Sequence, residues 1–385
     1  MFARTLFDPE HDAWRAEVAA FLSAEVTPHH DGWVAARKTP RAAWAQAGAA
    51  GLLARALPEE YGGAGRDFRD SAIIIEELAR HRVHGLFTCL QSDIVAPFIL
   101  RLGTEAQKMR LLPGIAQGEV LAALALTEPQ GGSALSTMTT TARSSGDSLV
   151  LNGCKTHISN GSVADVVIVA AKSERGSIGD QSGLSLILVE TERPGVHQEA
   201  IEKTGMAALD TGQITLTDCV VPRSNVLGGE GMGFVYLMSF LGVERLVLAI
   251  YAQACSERLL QDLIRDCDAR HTPNGSLLDH QNPRFSLAEL YSDCAVNRSF
   301  IDQCIPLVQE GRFDPKQACI AKLRTTATLK KLAALGVQLR GAGGISGETG
   351  ARASQDLLDA SVQSIWGGTS EILLDLIGRS MASGL

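Results

Sequence analysis

Apolar residues repeat at helical spacing through the first part of this 385-residue chain. The repeat is clear from Ala13 to Leu22 and again from Ile73 to Leu78. Residues 57–65 interrupt the repeat with Pro and Gly, which predicts a loop. The pattern therefore predicts an N-terminal α-helical domain over residues 1–121.

Near residue 121 the pattern changes to short segments rich in Val, Ile, Leu and Thr, separated by turn residues. Strands are predicted at residues 137–144, 148–151, 165–172, 183–190 and 213–221. Turns are predicted at residues 145–147 and 180–183. No helical pattern alternates with these strands, which argues against a doubly wound sheet. Residues 122–230 are expected to form a small antiparallel, barrel-like β domain.

After Gly231 the helical pattern returns and continues to the end of the chain. Helices are predicted over residues 233–268, 279–310, 315–341, 352–361 and 369–381. Residues 273–275 and the glycine-rich residues 341–350 break the pattern. Residues 231–385 are therefore expected to form a C-terminal four-helix bundle. The fold class predicted for the whole chain is mainly α with a central β domain, in three domains.

Charge and composition exclude several classes of protein. The net charge of −8 offers no basic face for nucleic acid. Eight scattered cysteines form no C-x-x-C pair, so we expect reduced thiols and no metal site. The longest apolar run, residues 232–255, contains Glu244 and Arg245, which argues against a membrane span. The first ten residues turn acidic at once and resemble neither a signal nor a transit peptide, so we expect a cytoplasmic protein.

Two segments carry the most informative chemistry, Leu126–Ser133 (LTEPQGGS) and Leu151–Gly161 (LNGCKTHISNG). Both combine glycines, which let a backbone approach a flat ligand, with hydroxyls that donate and accept hydrogen bonds. At this separation they resemble the flavin-contacting segments of the acyl-CoA dehydrogenase family, and the resemblance covers nearly the whole chain. It implies FAD as cofactor. No metal is implied.

The resemblance assigns residues of the β domain to the flavin. Thr127 and Ser159 would contact the isoalloxazine ring and Ser133 the phosphates, and the same site would include Leu126, Thr127, Gly132, Ser133, His157 and Ser159. Two positions depart from the family pattern. Ala134 stands where the family usually has Asp, and His157 where it usually has a stacked Trp or Phe. An imidazole can stack but adds a possible charge.

Further cofactor residues are implied in the C-terminal part. Gly341–Ser346 follows a helix and not a strand, so it does not fit a dinucleotide-binding loop. In the family the equivalent loop of a neighbouring subunit lies along the adenine end of the flavin, which would place Gln338 and Gly341 there. Arg270 and Thr272 match the pair that reaches the pyrophosphate across a dimer interface. An ordinary surface role for Arg270 remains open. A shared flavin site implies a homotetramer built as a dimer of dimers.

The reaction implied by the resemblance removes an α-proton and a β-hydride from an acyl thioester. It requires a carboxylate, donors on the carbonyl oxygen, and exclusion of water. Many family members place the glutamate where this chain has Gly367. The isovaleryl-CoA and long-chain branch carries it on the earlier helix, where this chain has Glu244. Glu244 lies in an apolar helix, where burial would raise the pKa of its carboxyl.

Other residues are expected around this base. The Gly367 backbone N–H would polarise the thioester carbonyl, and the missing side chain would leave room beside the α carbon. Trp366 and Arg245 are assigned to the substrate pocket, although adjacent helix residues do not face each other, so Arg245 is not the natural partner of Glu244. Thr369 is assigned to the cofactor site and, by its position, also fits the N-cap of the last helix. A structural ion pair of Glu244 remains the alternative to the base.

The predicted function is FAD-dependent α,β-dehydrogenation of an acyl thioester, most simply an acyl-CoA, with electron-transferring flavoprotein or a similar acceptor as partner. Three alternatives remain open. The first is an acyl-carrier-protein-linked dehydrogenase of a specialised pathway. The second is a flavin monooxygenase or oxidase on the same fold. The third is a flavin-poor paralogue that acts as an assembly partner.

Overall fold

The computed structural model describes residues 3–173 and 183–382. The first part of the chain is helical, as predicted. Its helices are α1 (Pro9–Phe21), α2 (Thr27–Ala36), α3 (Arg41–Ala49), α4 (Phe68–Arg80), α5 (Ala96–Leu102) and α6 (Glu105–Ala116). Asp8 and Thr104 begin α1 and α6 with capping boxes, which satisfy backbone N–H groups at the helix start.

Helix α4 lies in the middle of this region and carries a buried carboxylate. Glu76 on α4 is fully buried and pairs with Arg4, Arg15 and Arg298, each at 2.7–2.8 Å. Burial opposes ionisation of Glu76, but these guanidinium groups lower its pKa to about 2. Because Arg298 belongs to the C-terminal region, this cluster ties the two helical regions together.

The middle region is a curled, mainly antiparallel sheet. Its strands are β1 (Ala122–Ala125), β2 (Thr141–Ser145), β3 (Ser148–Ser159), β4 (Val166–Ser173), β5 (Leu184–Glu190), β6 (Val196–Ala200) and β7 (Thr211–Pro222). They follow the order β1-β4-β2-β3-β7-β6, with β5 also paired to β4. The predicted mainly helical fold with a central β domain is confirmed.

Several details of the sheet differ from the prediction. β4 pairs in parallel with β1 and β2, so the sheet is not purely antiparallel. β1 and β6 were missed because four or five residues carry too little periodicity to be recognised. The predicted first strand begins only at Thr141, because residues 135–137 form a 3-10 turn. Of the turn predicted at residues 180–183, residues 180–182 lie outside the described residues.

The C-terminal region contains five helices and a short hairpin. They are α7 (Gly233–Ala269), β8 (His271–Thr272), β9 (Gly275–Ser276), α8 (Gln281–Gln309), α9 (Pro315–Arg340), α10 (Gly347–Gln363) and α11 (Ser370–Ala382). The loop predicted at residues 341–350 is too long, because α10 already begins at Gly347. Helix α7 packs against both α8 and α9 and also against α4 and β5.

Two helical stretches among the described residues, residues 84–102 and helix α7, are long and apolar enough to cross a membrane by length and composition alone. Of their most apolar windows, 72% and 50% are buried inside the protein, as in core helices. The eight cysteines are all free thiols. Among the described residues, no group of three or more His, Cys, Asp or Glu could hold a metal ion.

A buried histidine pair lies where the N-terminal helices meet the β domain. Gly85 N–H donates to His30 Nε2 at 3.1 Å, and Ala208 N–H donates to His84 Nε2 at 3.4 Å. The two rings meet edge to face with their centroids 4.6 Å apart. Burial lowers the pKa of each imidazole to about 3, and neighbouring positive charge from Arg82 acts in the same direction. Both rings are therefore neutral hydrogen-bond acceptors.

We predict that this pair makes the fold sensitive to acid. The pKa of each ring is about 3 in the folded protein, against about 6.5 when unfolded, so the stabilisation is complete above pH 6.5 and is lost as the pH falls toward 3. At pH 5 each histidine should cost about 2 kcal/mol of unfolding free energy relative to neutral pH. Denaturant titrations at pH 7 and pH 5 measure this loss.

The double variant His30→Gln, His84→Gln should show a flatter dependence on pH between 7 and 5. The exposed His29→Gln serves as the matched control and should leave the dependence unchanged. An unchanged pH dependence in the double variant would contradict the assignment.

Candidate functional site

The loop after β1 is held against β3 by a buried ion pair. Lys155 Nζ donates to Glu128 Oε1 at 2.8 Å and to the Leu126 carbonyl at 3.1 Å. Glu128 also accepts from the backbone N–H groups of Thr139 and Thr140 at 2.6 and 2.9 Å. Burial opposes ionisation, yet the hydrogen bonds from Lys155 and Thr140 lower the pKa of Glu128 to about 2. These contacts fix the position of the predicted flavin loop.

The residues predicted to contact the flavin ring are brought together by this arrangement. Thr156 N–H donates to the Thr127 carbonyl at 2.9 Å, which places Thr127 beside a bulge in β3. The bulge turns His157 outward, with φ of 56°, and leaves its side chain exposed. Ser159 is half-buried two residues further along the strand.

Gly132 and Ser133 form the exposed rim of the same loop. A Cβ on Gly132 would lie 3.1 Å from Thr127 Cγ2, so the glycine allows the loop to fold closely over this threonine. The hydroxyls of Thr127, Ser133 and Ser159 make no hydrogen bond within the described residues, whereas Leu126 binds Lys155 through its carbonyl. Three hydroxyls beside an open glycine rim are therefore available to a polar ligand.

The residues predicted for the adenine end form a second cluster, in the C-terminal region. Arg270 Nη1 donates to the Leu339 carbonyl at 2.8 Å, and its guanidinium lies 3.4 Å from where a Cβ of Gly341 would stand. Thr272 lies in the hairpin, with its hydroxyl 2.9 Å from the Gly275 carbonyl. Arg270, Gln338 and Gly341 are exposed.

The two residues predicted to serve the chemistry lie side by side. Glu244 is on α7 and Gly367 is in the turn before α11, and a Cβ built on Gly367 would be 3.6 Å from Glu244 Oε1. The carboxylate therefore reaches the point from which a side chain at position 367 would start. Burial raises the pKa of Glu244, while Arg245 and Lys322 oppose the rise. Glu244 accepts no hydrogen bond from the described residues.

Leu248 borders the space left by the missing side chain at Gly367. The same Cβ would lie 2.3 Å from Leu248 Cδ1, so Leu248 occupies the volume that a side chain would need. Gly367 also has φ of 58°, a conformation that favours glycine. Leu248 lies one helical turn after Glu244 on the same face of α7, so both side chains approach this turn. Room beside the substrate's α carbon stays a prediction.

The neighbours assigned to the pocket have clear contacts. Trp366 is half-buried and lies against Phe87, with ring centroids 5.3 Å apart, and its indole N–H donates to Gln363 Oε1 at 3.1 Å. Arg245 Nη1 points to Cys319 Sγ at 3.5 Å and not to Glu244. Thr369 Oγ1 accepts from Ile372 N–H at 3.3 Å, as expected for an N-cap.

Sequence reasoning missed one charged residue here. Lys322 on α9 is fully buried, and its ammonium donates to the Gly368 carbonyl at 2.7 Å. Its Cε would lie 3.6 Å from a Cβ on Gly367, the same distance as Glu244 Oε1. The signal was present, because Lys322 follows the helical spacing of Ala318 and Thr325, which are also buried.

A helical domain, a curled sheet with a loop of free hydroxyls and a helical bundle with a half-buried carboxylate are the features that the sequence predicted for a three-domain flavin-dependent oxidoreductase. Family models agree along the chain. The N-terminal, middle and C-terminal domain models of acyl-CoA dehydrogenase match residues 8–119, 123–219 and 231–382. The chain belongs to the acyl-CoA dehydrogenase family, whose members are oxidoreductases acting on CH–CH groups.

Individual relatives agree with this assignment. The long-chain specific acyl-CoA dehydrogenase of Rattus norvegicus is 36% identical over 381 residues, which cover 99% of this chain and 88% of the relative. The isovaleryl-CoA dehydrogenase of Pongo abelii is 30% identical over 370 residues, covering 95% and 87%. The crystal structure of an acyl-CoA dehydrogenase from Geobacillus kaustophilus superposes with a TM-score of 0.95 at 36% identity, covering 98% of this chain and 100% of that one.

Acyl-CoA dehydrogenases depend on FAD, and membership of the family makes FAD the cofactor of this chain. The residues present fit such a group. The hydroxyls of Thr127, Ser133 and Ser159 make no hydrogen bond within the described residues, so they suit the polar edge of a flavin. Arg270 offers a cationic fork of the kind that binds phosphate. We retain these positions as predictions of the cofactor site.

We predict that the Lys155–Glu128 pair holds the flavin loop in place. Lys155→Met should lower the unfolding free energy by about 3–5 kcal/mol, because it leaves a buried carboxylate without its cation. The purified variant should also retain less FAD. Thermal unfolding and the flavin absorbance per protein measure both effects.

The double variant Glu128→Gln, Lys155→Met removes both charges and provides the control. It should lose less stability than the two single changes added together. Additive losses would show that the two side chains act independently.

Proposed function

We propose that this protein dehydrogenates an acyl thioester between its α and β carbons, with Glu244 as the base that removes the α-proton. FAD held in this site would supply the acceptor for the β-hydride. The observation that carries the proposal is the position of the Glu244 carboxylate, 3.6 Å from where a Cβ of Gly367 would stand. A carboxylate carried at position 244 and one carried at position 367 could thus act on the same atom of a substrate.

The surroundings of Glu244 suit a base. Burial raises the pKa of its carboxyl above the ordinary value, toward the range in which a carboxylate removes a weakly acidic proton efficiently. No hydrogen bond from the described residues satisfies the carboxylate, so it is free to approach a substrate. Leu248 and Trp366 add apolar surface beside it and help to exclude water.

The turn at Gly367 and Gly368 would supply the second requirement. We assign the Gly367 backbone N–H to the thioester carbonyl, where negative charge develops as the α-proton leaves. The positive φ values of both glycines, 58° and 94°, give this turn a shape that other residues rarely adopt. Arg245, directed to Cys319, adds positive charge at the edge of the site without pairing with Glu244.

The assembly, partners and location belong to the same proposal. The ring-contacting and the adenine-end clusters belong to different regions of the chain, which supports a flavin site shared between two subunits of a homotetramer. Acyl-CoA is the proposed substrate and an electron-transferring flavoprotein the proposed acceptor, since the family acts on acyl-CoAs. A cytoplasmic location agrees with eight free thiols.

We predict that Glu244→Gln binds substrate but does not bleach the flavin. Loss of the base should slow anaerobic flavin reduction by about 100-fold or more, with little change in ligand-induced spectral shift. Stopped-flow absorbance under anaerobic conditions measures the rate with a panel of straight and branched acyl-CoAs. The same acyl groups, attached to an acyl carrier protein, test whether the enzyme uses that carrier instead of coenzyme A. Reduction of the variant at the wild-type rate would refute the base assignment.

A second prediction follows from Leu248. In the Glu244→Gln background, Gly367→Glu alone should not restore reduction, because Leu248 occupies the volume of the new side chain. Adding Leu248→Ala should increase the rate about tenfold or more by opening that volume. The matched control is Leu248→Ala in the Glu244→Gln background without the new glutamate. If Gly367→Glu restores the same rate of flavin reduction with and without Leu248→Ala, Leu248 does not obstruct a glutamate at position 367.

A further inference from the structure

Lys322 is an unusual residue for the centre of a helical bundle. Its side chain is fully buried on α9, between the buried residues Ala321 and Thr325. Taking an ammonium group out of water costs several kcal/mol unless other groups compensate. A lysine buried beside the proposed base therefore calls for a partner.

The first partner is the glycine turn. Lys322 Nζ donates to the Gly368 carbonyl at 2.7 Å, and this is the hydrogen bond that the structure gives its ammonium group. Gly368 follows Gly367, whose N–H we assign to the thioester carbonyl. Both glycines have positive φ and high intrinsic freedom, so an external contact is needed to fix the turn. Lys322 provides that contact from α9.

The second partner is Glu244 itself. Lys322 Cε and Glu244 Oε1 each lie 3.6 Å from the point where a Cβ of Gly367 would stand, so the two groups flank one small region. Burial lowers the pKa of Lys322 to about 8, and Glu244 opposes this shift. Burial raises the pKa of Glu244, and Arg245 and Lys322 oppose that shift. The carboxylate and the ammonium therefore stabilise each other's charged form.

Arg245 and Cys319 are the other charged or titratable residues of these surroundings. Arg245 directs its Nη1 to Cys319 Sγ at 3.5 Å, and its positive charge opposes the rise in the pKa of Glu244 more strongly than that of Lys322 does. The Cys319 thiol is buried, which raises its pKa and keeps it neutral. Lys322 is thus the buried cation that α9 places near Glu244, whereas Arg245 belongs to the same helix as the carboxylate.

We propose that Lys322 is a positioning residue of the dehydrogenation site, which fixes the Gly367–Gly368 turn and holds Glu244 in its ionised form. This inference rests on the proposed function, because it takes Glu244 as the base. It adds that a residue of α9 sets the position and protonation state of the base, and that this residue need not touch the substrate.

The test compares Lys322→Met, Lys322→Gln and Lys322→Arg in the FAD-loaded enzyme. The rate constant of anaerobic flavin reduction is measured from pH 5.5 to 9 with saturating acyl-CoA. In the wild type the rate falls on the acid side of the pH profile, which we call the acid limb. In Lys322→Met this fall should occur at a pH about one unit higher, because the carboxylate has lost a nearby positive charge. At the acid end the rate should fall about tenfold. The two profiles should converge above about pH 8, where Lys322 itself loses its proton.

Controls separate charge from structure. Lys322→Arg keeps the charge and should retain the wild-type acid limb, while Lys330→Met, an exposed lysine on the same helix, should change nothing. FAD content and circular dichroism report the fold. If Lys322→Met does not fold, the comparison of Lys322→Gln with Lys322→Arg carries the test, because both can donate to Gly368 and only one is charged.

Two results would overturn the proposal. One is a rate loss that is equal at every pH, which a purely structural role would give. The other is an unchanged profile in both neutral variants. Failure of the proposed function is recognised separately, since Glu244→Gln would then reduce flavin at the wild-type rate whatever the Lys322 variants do.

Discussion

Helix α7 is the constraint on which the rest of the structure depends. Its residues belong to three hydrophobic cores: Leu237 packs with the α5 and β5 side, Leu246 with the N-terminal helices, and Leu263 with α8 and α9. A helix held in three cores cannot rotate in one of them without disturbing the others. Its period therefore fixes Glu244 and Leu248 on one face, one turn apart. The position of the carboxylate is a consequence of packing along the whole helix.

Two carboxylates, each close to a buried lysine, show how local contacts decide the chemistry of the same functional group. Glu128 receives hydrogen bonds from Lys155 and from two backbone N–H groups, and its pKa falls to about 2. Glu244 also lies near a buried lysine, but that lysine donates to the Gly368 carbonyl instead, and burial raises the pKa of Glu244. The first carboxylate is stabilised as a fixed structural anion. The second keeps the capacity to accept a proton.

Polar clusters connect the regions as much as the hydrophobic cores do. Glu76 joins α4 to α8 through Arg298, and the His30–His84 pair joins the N-terminal helices to the loop before β7. Each cluster depends on one protonation state, so acid weakens the contacts between regions as well as those within them. The hydroxyl face of the β domain and the Arg270 cluster lie in regions that these contacts hold together.

The amino-acid sequence determined the order of helices, strands and helices, because hydrophobic periodicity is a local property of long elements. It also made Glu244 the candidate base, since an acidic residue in a long apolar helix is visible without coordinates. Short strands such as β1 and β6 and the parallel pairing of β4 escaped it, because pairing joins distant segments. Only the tertiary structure decided that Leu248 fills the space beside Gly367 and that Lys322 approaches Glu244. Those contacts join two helices and a turn that are far apart in the chain, and packing alone brings them together.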